Sequence, residues 1–237
     1  MSELPDAELH EHSHADVSGG WLRAAVFGAM DGLVTNTALV AGVGAGGAAA
    51  QTVVLSGVAS LVAGAISMAL GEYTSVTTQN EQLELEVAKE RRELERNPEG
   101  ERLELVELLR ARGVDDGLAE AVSVQLSRDP ETALRLHVVA EIGLSPEDKP
   151  SPRVAAVSSF VTFSVGAVVP LLPYLFGLDL LWVALVCGAI GLAVAGALSA
   201  RFTPRPWWWS ALRQLLFGAL AAGATYLIGS AIGVAVT

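Results

Sequence analysis

Long charge-free apolar runs constrain this chain more than any other feature. No Asp, Glu, Lys or Arg occurs in residues 32–71, 154–178, 180–200 and 214–237. A helix that crosses a bilayer needs about 20 apolar residues. The first run, 40 residues long, exceeds one span and is broken near its middle by the Gly-rich stretch AGVGAGG. The sequence therefore predicts an all-α membrane protein whose five transmembrane helices lie near residues 22–43, 53–76, 154–174, 180–200 and 211–235.

A strongly charged segment, residues 81–152, separates the second span from the third. It contains 18 of the 26 acidic residues and 10 of the 15 basic residues. We interpret it as an inserted helical domain, with spans in residues 21–80 and 153–237 on either side and an acidic, His-bearing tail in residues 1–20. Because an acidic domain repels nucleic acid and attracts cations, we expect metal ions and no nucleic acid among its partners.

The positions of the basic residues predict the orientation. Arg23 precedes the first span, eleven bases lie from Lys89 to Arg153, and the remaining three lie between spans four and five. With five spans, all these segments fall on one side, and basic loops remain in the cytoplasm. We therefore expect the N-terminus and residues 81–152 in the cytoplasm and the C-terminus outside. Because Arg outnumbers Lys by 13 to 2 and the chain is rich in Ala and Gly, we interpret the membrane as a bacterial plasma membrane.

Local signals divide the charged segment into helices. No proline interrupts residues 53–97, so one helix can continue from the second span into the charged segment. Helix start signals follow at Asn97-Pro98, at Asp115 or Asp116, and at Asp129-Pro130. Stop signals stand at Gly113 and Gly143. We expect the apolar core of this segment to contain Leu103, Val106, Leu109, Leu118, Val122, Leu126, Leu134 and Val138.

Acidic residues three positions apart recur in the charged segment and could bind a metal. The candidate ligands are Glu90, Glu93, Glu101, Glu104, His137 and Glu141. The first four form two pairs that each share a helix face, and Glu141 follows His137 by one helical turn. Carboxylates from adjacent helices form the metal sites of several helical bundles. Exposed helices also carry such pairs without binding a metal, so the spacing alone leaves both interpretations open.

Two further acids lie within the first two spans. Asp31 comes eight residues after Arg23, about 12 Å along a helix. An acid at this depth costs about 2.5–3.5 kcal/mol to insert and is expected to face a partner inside the bundle. Spans one and two are antiparallel, so Asp31 and Glu72 lie at similar depth, with Met68 one turn deeper on the Glu72 face. Two carboxylates with a thioether favour Fe²⁺ and its neighbours, whereas the alternative is a headgroup acid and a core methionine.

The stretches FGAMDGLVTNTALVAGV and GAISMALGEYTSV resemble the first two spans of the vacuolar iron transporter family. The acidic insert and PLLPYL of span three are similar too, so the resemblance extends over residues 21–235. It implies a homodimeric transporter, not an enzyme, with five spans per subunit, exchanging Fe²⁺ and often Mn²⁺ or Co²⁺ for protons. Iron would be the substrate, and no resident cofactor is expected.

The resemblance also implies roles for particular residues. It implies an intramembrane metal site at Asp31, Met68 and Glu72. For the charged segment it implies glutamate ligands at Glu90, Glu93, Glu101, Glu104 and Glu141. The chain departs from the family on the last helix of this segment, where His137 and Val138 stand in place of the methionines that relatives can carry.

Two other classes of function remain open from the residues. A membrane-tethered ferritin-like protein that oxidises iron would use the same glutamates, but it is expected to carry paired Glu-x-x-His motifs that the charged segment lacks. A metal sensor or scaffold would have no need of the intramembrane acids Asp31 and Glu72. The favoured hypothesis is therefore a transporter that moves Fe²⁺ out of the cytoplasm by proton antiport.

Overall fold

The computed structural model describes residues 20–143 and 149–236, and these residues contain helices and no strand. The helices are α1 Trp21–Ala45, α2 Ala50–Arg96, α3 Pro98–Ala111, α4 Asp116–Leu126, α5 Pro130–Ile142, α6 Pro152–Val168, α7 Leu172–Leu175, α8 Leu181–Ser199 and α9 Trp207–Val236. Residues 1–19 of the predicted N-terminal tail, including its histidines, lie outside the described residues.

Five helical segments in the described part of the chain are long and apolar enough to cross a membrane. They are Trp21–Ala45, Ala50–Arg96, Pro152–Leu175, Leu181–Phe202 and Trp207–Gly233. This confirms the prediction of an all-helical chain with five candidate spans.

Helix α2 is one continuous rod of 47 residues, as the absence of proline predicted. At 1.5 Å per residue it is about 70 Å long, more than twice the thickness of a hydrocarbon core. Its first half packs in the bundle of apolar helices, and its second half continues into the charged segment. The chain reverses at Asn97, whose side-chain oxygen accepts a hydrogen bond from the Gly100 N–H at 3.1 Å.

The other predicted helix boundaries in the charged segment are confirmed as well. The Asp115 side chain caps α4 and the Asp129 side chain caps α5, each by accepting a hydrogen bond from a backbone N–H two residues later. Gly113 and Gly143 have φ of +88° and +75°, a backbone conformation that favours glycine and ends the preceding helix.

Helix α1 lies at the centre of the apolar bundle and packs against α2, α6, α8 and α9. Its contact with α6 is close, because a methyl group at Gly32 would overlap the carbonyl oxygen of Phe163. Gly229 and Gly233 of α9 form a GxxxG pair that lies against the backbone of Gly42 in α1 and of Gly46 just after it, so α9 packs closely on the end of α1.

The third span is broken by proline, as its sequence indicates. Helix α6 ends at Val168, a 3-10 turn covers Val169–Leu171, and α7 completes the span. Beside this break lies Asn36 of α1, which is fully buried. Its amide group donates hydrogen bonds to the carbonyl oxygens of Gly57 at 3.2 Å and Ala167 at 2.8 Å. One side chain therefore links three spans, a role that the sequence analysis missed.

The charged segment has a small apolar core between α2 and α5. Leu83, Leu134 and Val138 are buried there, with Val87 and Leu94 packed against them. The core prediction was wrong for two residues, because Leu103 is 50% exposed and Leu118 is 57% exposed. Helix α3 instead buries the face that carries Leu105, Val106 and, one turn earlier, Glu101. That this segment is a separate cytoplasmic domain remains a prediction.

Candidate metal centre

Three helices of the charged segment bring Glu90, Glu101 and His137 together. Glu90 lies near the end of α2, Glu101 lies in the first turn of α3 after the reversal at Asn97, and His137 lies on α5. A ligand atom from each residue lies within 4.8 Å of the other two. The three residues are 7%, 9% and 1% exposed, respectively. The reversal at Asn97 thus brings two acids of one charged stretch to the same buried histidine.

The polar atoms at the centre of this cluster face one another without hydrogen bonds. His137 Nδ1 lies 3.3 Å from Glu90 Oε1, and both atoms are buried without a hydrogen-bond partner in the described structure. The same nitrogen lies 3.7 Å from Glu101 Oε2 and 3.7 Å from Glu141 Oε1. Buried polar atoms are normally paired. Ligands about 2.1 Å from a shared cation lie roughly 3.0–3.4 Å apart. The separation of 3.3 Å between His137 and Glu90 falls in this range, and the two separations of 3.7 Å are slightly longer.

The electrostatics of the cluster also favour a cation. Burial, followed by repulsion from the neighbouring acids Glu141, Glu101, Glu93 and Glu104, raises the pKa of Glu90 from 4.5 to about 7. Burial likewise raises the pKa of Glu101, with an added contribution from Glu104. A divalent cation would neutralise these carboxylates, and its binding would release the protons that they hold.

The predicted ligands therefore divide into an inner and an outer group. Glu90 and Glu101 are buried, whereas Glu93 and Glu104, the other members of the two pairs, are exposed. Glu141 is exposed too, although its carboxylate reaches His137. The outer acids lie close enough to raise the pKa of Glu90, so they add negative potential around the cluster. Which of the six residues bind metal remains a prediction.

Several arginines near the cluster pair with acids outside it. Arg91 contacts Glu131 at 2.8 Å, and Arg102 contacts Glu99 at 2.6 Å. Among the described ion pairs, Glu90 and Glu101 have His137 as their only basic neighbour. Within residues 20–143 and 149–236, neither buried acid forms an ion pair with a Lys or Arg, unlike the acid of an ordinary helix-surface salt bridge.

The two intramembrane acids lie within helices, Asp31 in the first half of α1 and Glu72 near the middle of α2. Glu72 is 8% exposed and forms an ion pair with Arg23 of α1, with 3.0 Å between the guanidinium and the carboxylate. Asp31 is half-buried and accepts a hydrogen bond from the Thr35 hydroxyl at 3.3 Å. The ion pair of Arg23 with Glu72 was not predicted, although the charge of Arg23 at the start of span one was a signal.

Met68 packs at the contact between α2 and α6. It is half-buried beside Phe163, together with Ala65 and Ala167. This environment is that of a core methionine. Met68 also lies one helical turn from Glu72, on the same face of α2. A metal site shared by Asp31, Met68 and Glu72 therefore remains a prediction.

Comparison with known proteins agrees with the resemblance noted in the first two spans. The model of the VIT family matches residues 22–230. A protein of Acanthamoeba castellanii named vacuolar iron transporter is 36% identical, over 95% of this chain and 84% of the relative. The relative of the same name from Centaurea cyanus is 31% identical over 95% of each chain. Vacuolar iron transporter 1 of Arabidopsis thaliana is 29% identical over 94% of this chain and 91% of its own length.

These matches extend over both the apolar helices and the charged segment that carries the buried cluster. A transporter family also agrees with the expectation that the chain is not an enzyme. The chain is a membrane protein of the VIT family of metal ion transporters.

Proposed function

We propose that this protein exports Fe²⁺ from the cytoplasm in exchange for protons, and that it also accepts Mn²⁺ or Co²⁺. The observation that carries the proposal is the buried cluster of Glu90, Glu101 and His137, in which neither acid forms a described ion pair with a Lys or Arg. The names of the relatives support iron as the metal. In this proposal iron is the substrate, and the protein has no resident cofactor.

The charged segment, residues 81–152, is in this proposal the cytoplasmic domain that captures metal. Its inner ligands combine carboxylate oxygen with an imidazole nitrogen, a mixture that suits first-row transition metals better than Mg²⁺ or Ca²⁺. The outer acids Glu93, Glu104 and Glu141 attract cations to the cluster and supply further ligands. In this proposal this domain and the N-terminus lie in the cytoplasm and the C-terminus lies outside, which the positions of the basic residues next to the spans support. The excess of Arg over Lys and the Ala- and Gly-rich composition support a bacterial plasma membrane.

Metal then crosses the membrane along a path that includes Asp31, Met68 and Glu72. A carboxylate must lose its proton to bind metal, so the arrival of metal expels protons and the arrival of protons displaces metal. Competition for the same carboxylates is the simplest physical basis for antiport. We propose that the protein works as a homodimer, since Asp31 is only half-buried within a single chain and an intramembrane acid requires a partner.

The proposal is tested by flux measurements on the full chain in proteoliposomes. A pH-sensitive dye and an Fe²⁺ indicator follow both ions while a pH gradient is imposed. We expect Fe²⁺ uptake to move protons the opposite way, and Asp31→Asn or Met68→Ala to abolish both movements.

Asp179→Asn provides the matched control, because Asp179 is an exposed acid in the loop between α7 and α8. This variant should retain the flux of the unmodified protein. Undiminished flux in Asp31→Asn would contradict the assigned path. Fe²⁺ flux that moves no protons would contradict antiport while leaving iron transport intact.

A further inference from the structure

The connection between α8 and α9 forms a basic recess that the transport proposal does not use. A 3-10 turn, Ala200–Phe202, follows α8, and the chain then continues to Trp207 at the start of α9. The recess has a volume of about 410 Å³. Its lining consists of Ala197, Leu198, Ala200, Arg201, Arg205 and Trp207.

The two arginines of this recess have no acid nearby in sequence. Residues 180–237 contain no Asp or Glu. Elsewhere in the described residues Arg23, Arg91, Arg102, Arg110 and Lys149 each pair with a carboxylate. The described ion pairs include neither Arg201 nor Arg205, and both side chains are exposed. The recess therefore carries two positive charges in a chain whose net charge is −11.

Aromatic and apolar residues place this recess at the depth of the lipid headgroups. Trp207, Trp208 and Trp209 are 66%, 54% and 46% exposed, and Leu198 on the last turns of α8 is 49% exposed. Exposed tryptophans at the end of a span are typical of the boundary between headgroups and acyl chains. Between the charged segment and this loop the chain crosses the membrane twice, at spans three and four. The loop therefore lies on the same side of the membrane as the charged segment.

We propose that Arg201 and Arg205 bind the phosphate group of an anionic membrane phospholipid. A guanidinium donates two parallel hydrogen bonds to phosphate oxygens and is weakly hydrated, which favours it over an ammonium group at such a site. The tryptophans and Leu198 would contact the glycerol and the upper part of the acyl chains. Two basic residues near a membrane surface enrich an anionic lipid roughly 30-fold over a zwitterionic one. This site is independent of the metal path.

The experiment uses fluorescence quenching in vesicles that contain the full chain. The chain has five tryptophans, so Trp21→Phe and Trp182→Phe leave the three beside the recess as reporters. The vesicles are phosphatidylcholine with a small fraction of one bromine-labelled lipid, either phosphatidylglycerol or phosphatidylcholine. We expect labelled phosphatidylglycerol to quench the tryptophan fluorescence several-fold more strongly than labelled phosphatidylcholine. The double substitution Arg201→Gln with Arg205→Gln should bring the ratio of quenching by the two lipids close to one.

A matched control removes the same charge at a distance from the recess. Arg96→Gln with Arg128→Gln changes two exposed arginines of the charged segment and should leave the quenching ratio high. Equal quenching by the two lipids in the unmodified background would overturn the proposal. So would a high ratio that persists in the Arg201/Arg205 variant, because the lipid would then bind elsewhere.

Two measurements without loop substitutions complete the test. Raising NaCl from 0.05 to 0.5 M should lower the ratio, since a headgroup contact at the surface is screened. Soluble glycerol phosphate at millimolar concentration should leave the ratio unchanged. If it abolishes the ratio, the recess binds a free phosphate compound and the assignment to lipid is overturned.

Discussion

Replacing Glu90 by Gln should stabilise the metal-free charged segment and weaken its metal binding at the same time. The carboxylate of Glu90 lies 7% exposed among other acids, so its charge is unfavourable unless a cation is bound. Gln has nearly the same shape but carries no charge. An ordinary structural glutamate would not show these two opposite effects, so the substitution tests whether the cluster is built for a metal.

The size of the stabilisation follows from the pKa of Glu90, which is raised from 4.5 to about 7. Between these pH values the folded protein keeps a proton that the unfolded chain has released, so the stability contributed by Glu90 falls as pH rises through this window. Above pH 7 the full penalty applies, on the order of 3 kcal/mol at 1.36 kcal/mol per pKa unit. The increase in folding stability caused by Glu90→Gln should therefore be near zero at pH 4.5 and largest at pH 8.

Hydrogen exchange of the full chain in nanodiscs, with a chelator present, measures this local stability. At pH 8 we expect the amide protons of α3 and α5 to be protected up to about 100-fold more strongly in Glu90→Gln than in the unmodified protein. The difference should fade by pH 5. Calorimetric titration with Co²⁺ should show weaker binding by the same variant.

Glu95→Gln is the control for this experiment, because Glu95 is an exposed acid on the same helix. It should change neither exchange nor metal binding. If Glu90→Gln lowers protection at pH 8, the carboxylate stabilises the metal-free fold and the argument from burial is wrong. Unchanged Co²⁺ binding would remove Glu90 from the set of ligands.

Two further predictions concern the spans. Arg23→Gln removes the guanidinium that competes with metal for Glu72. Because the Arg23 side chain is 63% exposed, its ion pair with Glu72 contributes at most about 1 kcal/mol. We therefore expect KM for Fe²⁺ to fall by up to about fivefold. A raised KM would show that Arg23 assists metal entry. Gly32→Ala should lower the thermal stability of the purified protein strongly because its methyl group would overlap the Phe163 backbone, whereas Gly71→Ala, with open space around it, should not. Equal melting temperatures would contradict the close packing of α1 on α6.

Much of the fold could be predicted because it depends on local chemistry. Charge-free runs identify spans, and side chains at Asn97, Asp115 and Asp129 satisfy the free N–H groups that every helix start presents. These signals need no knowledge of tertiary contacts. The orientation of α3 about its own axis does need such knowledge, and for this reason Leu103 was expected in the core and is exposed.

The candidate site was predictable in kind but not in detail. Spacing placed Glu90 with Glu93 on one helix face, yet it could not say which member is buried, since that depends on how α2, α3 and α5 pack. Asn36 was missed for a related reason. A polar residue in an apolar run gives no sign of its partners, and the carbonyl groups that it binds lie 21 and 131 residues away along the chain.

The length of α2 decides how the two proposed metal sites can cooperate. Glu72 and Glu90 lie on one uninterrupted helix and are 18 residues apart, which corresponds to about 27 Å. No metal ligand can be shared over that distance within one chain. The buried cluster would therefore act by raising the metal concentration near the entrance to the spans.

This mechanism predicts different kinetics for the two sites. Glu90→Ala with Glu93→Ala should raise KM for Fe²⁺ and leave kcat nearly unchanged, because excess metal replaces the captured supply. Asp31→Asn should abolish flux at every metal concentration, because it removes a ligand on the path itself. Proteoliposome assays over a wide range of Fe²⁺ concentrations distinguish the two patterns. A loss of kcat in the Glu90/Glu93 variant would mean that the charged segment takes part in each transport cycle, as it would if α2 bent or a second subunit's segment reached the membrane entrance.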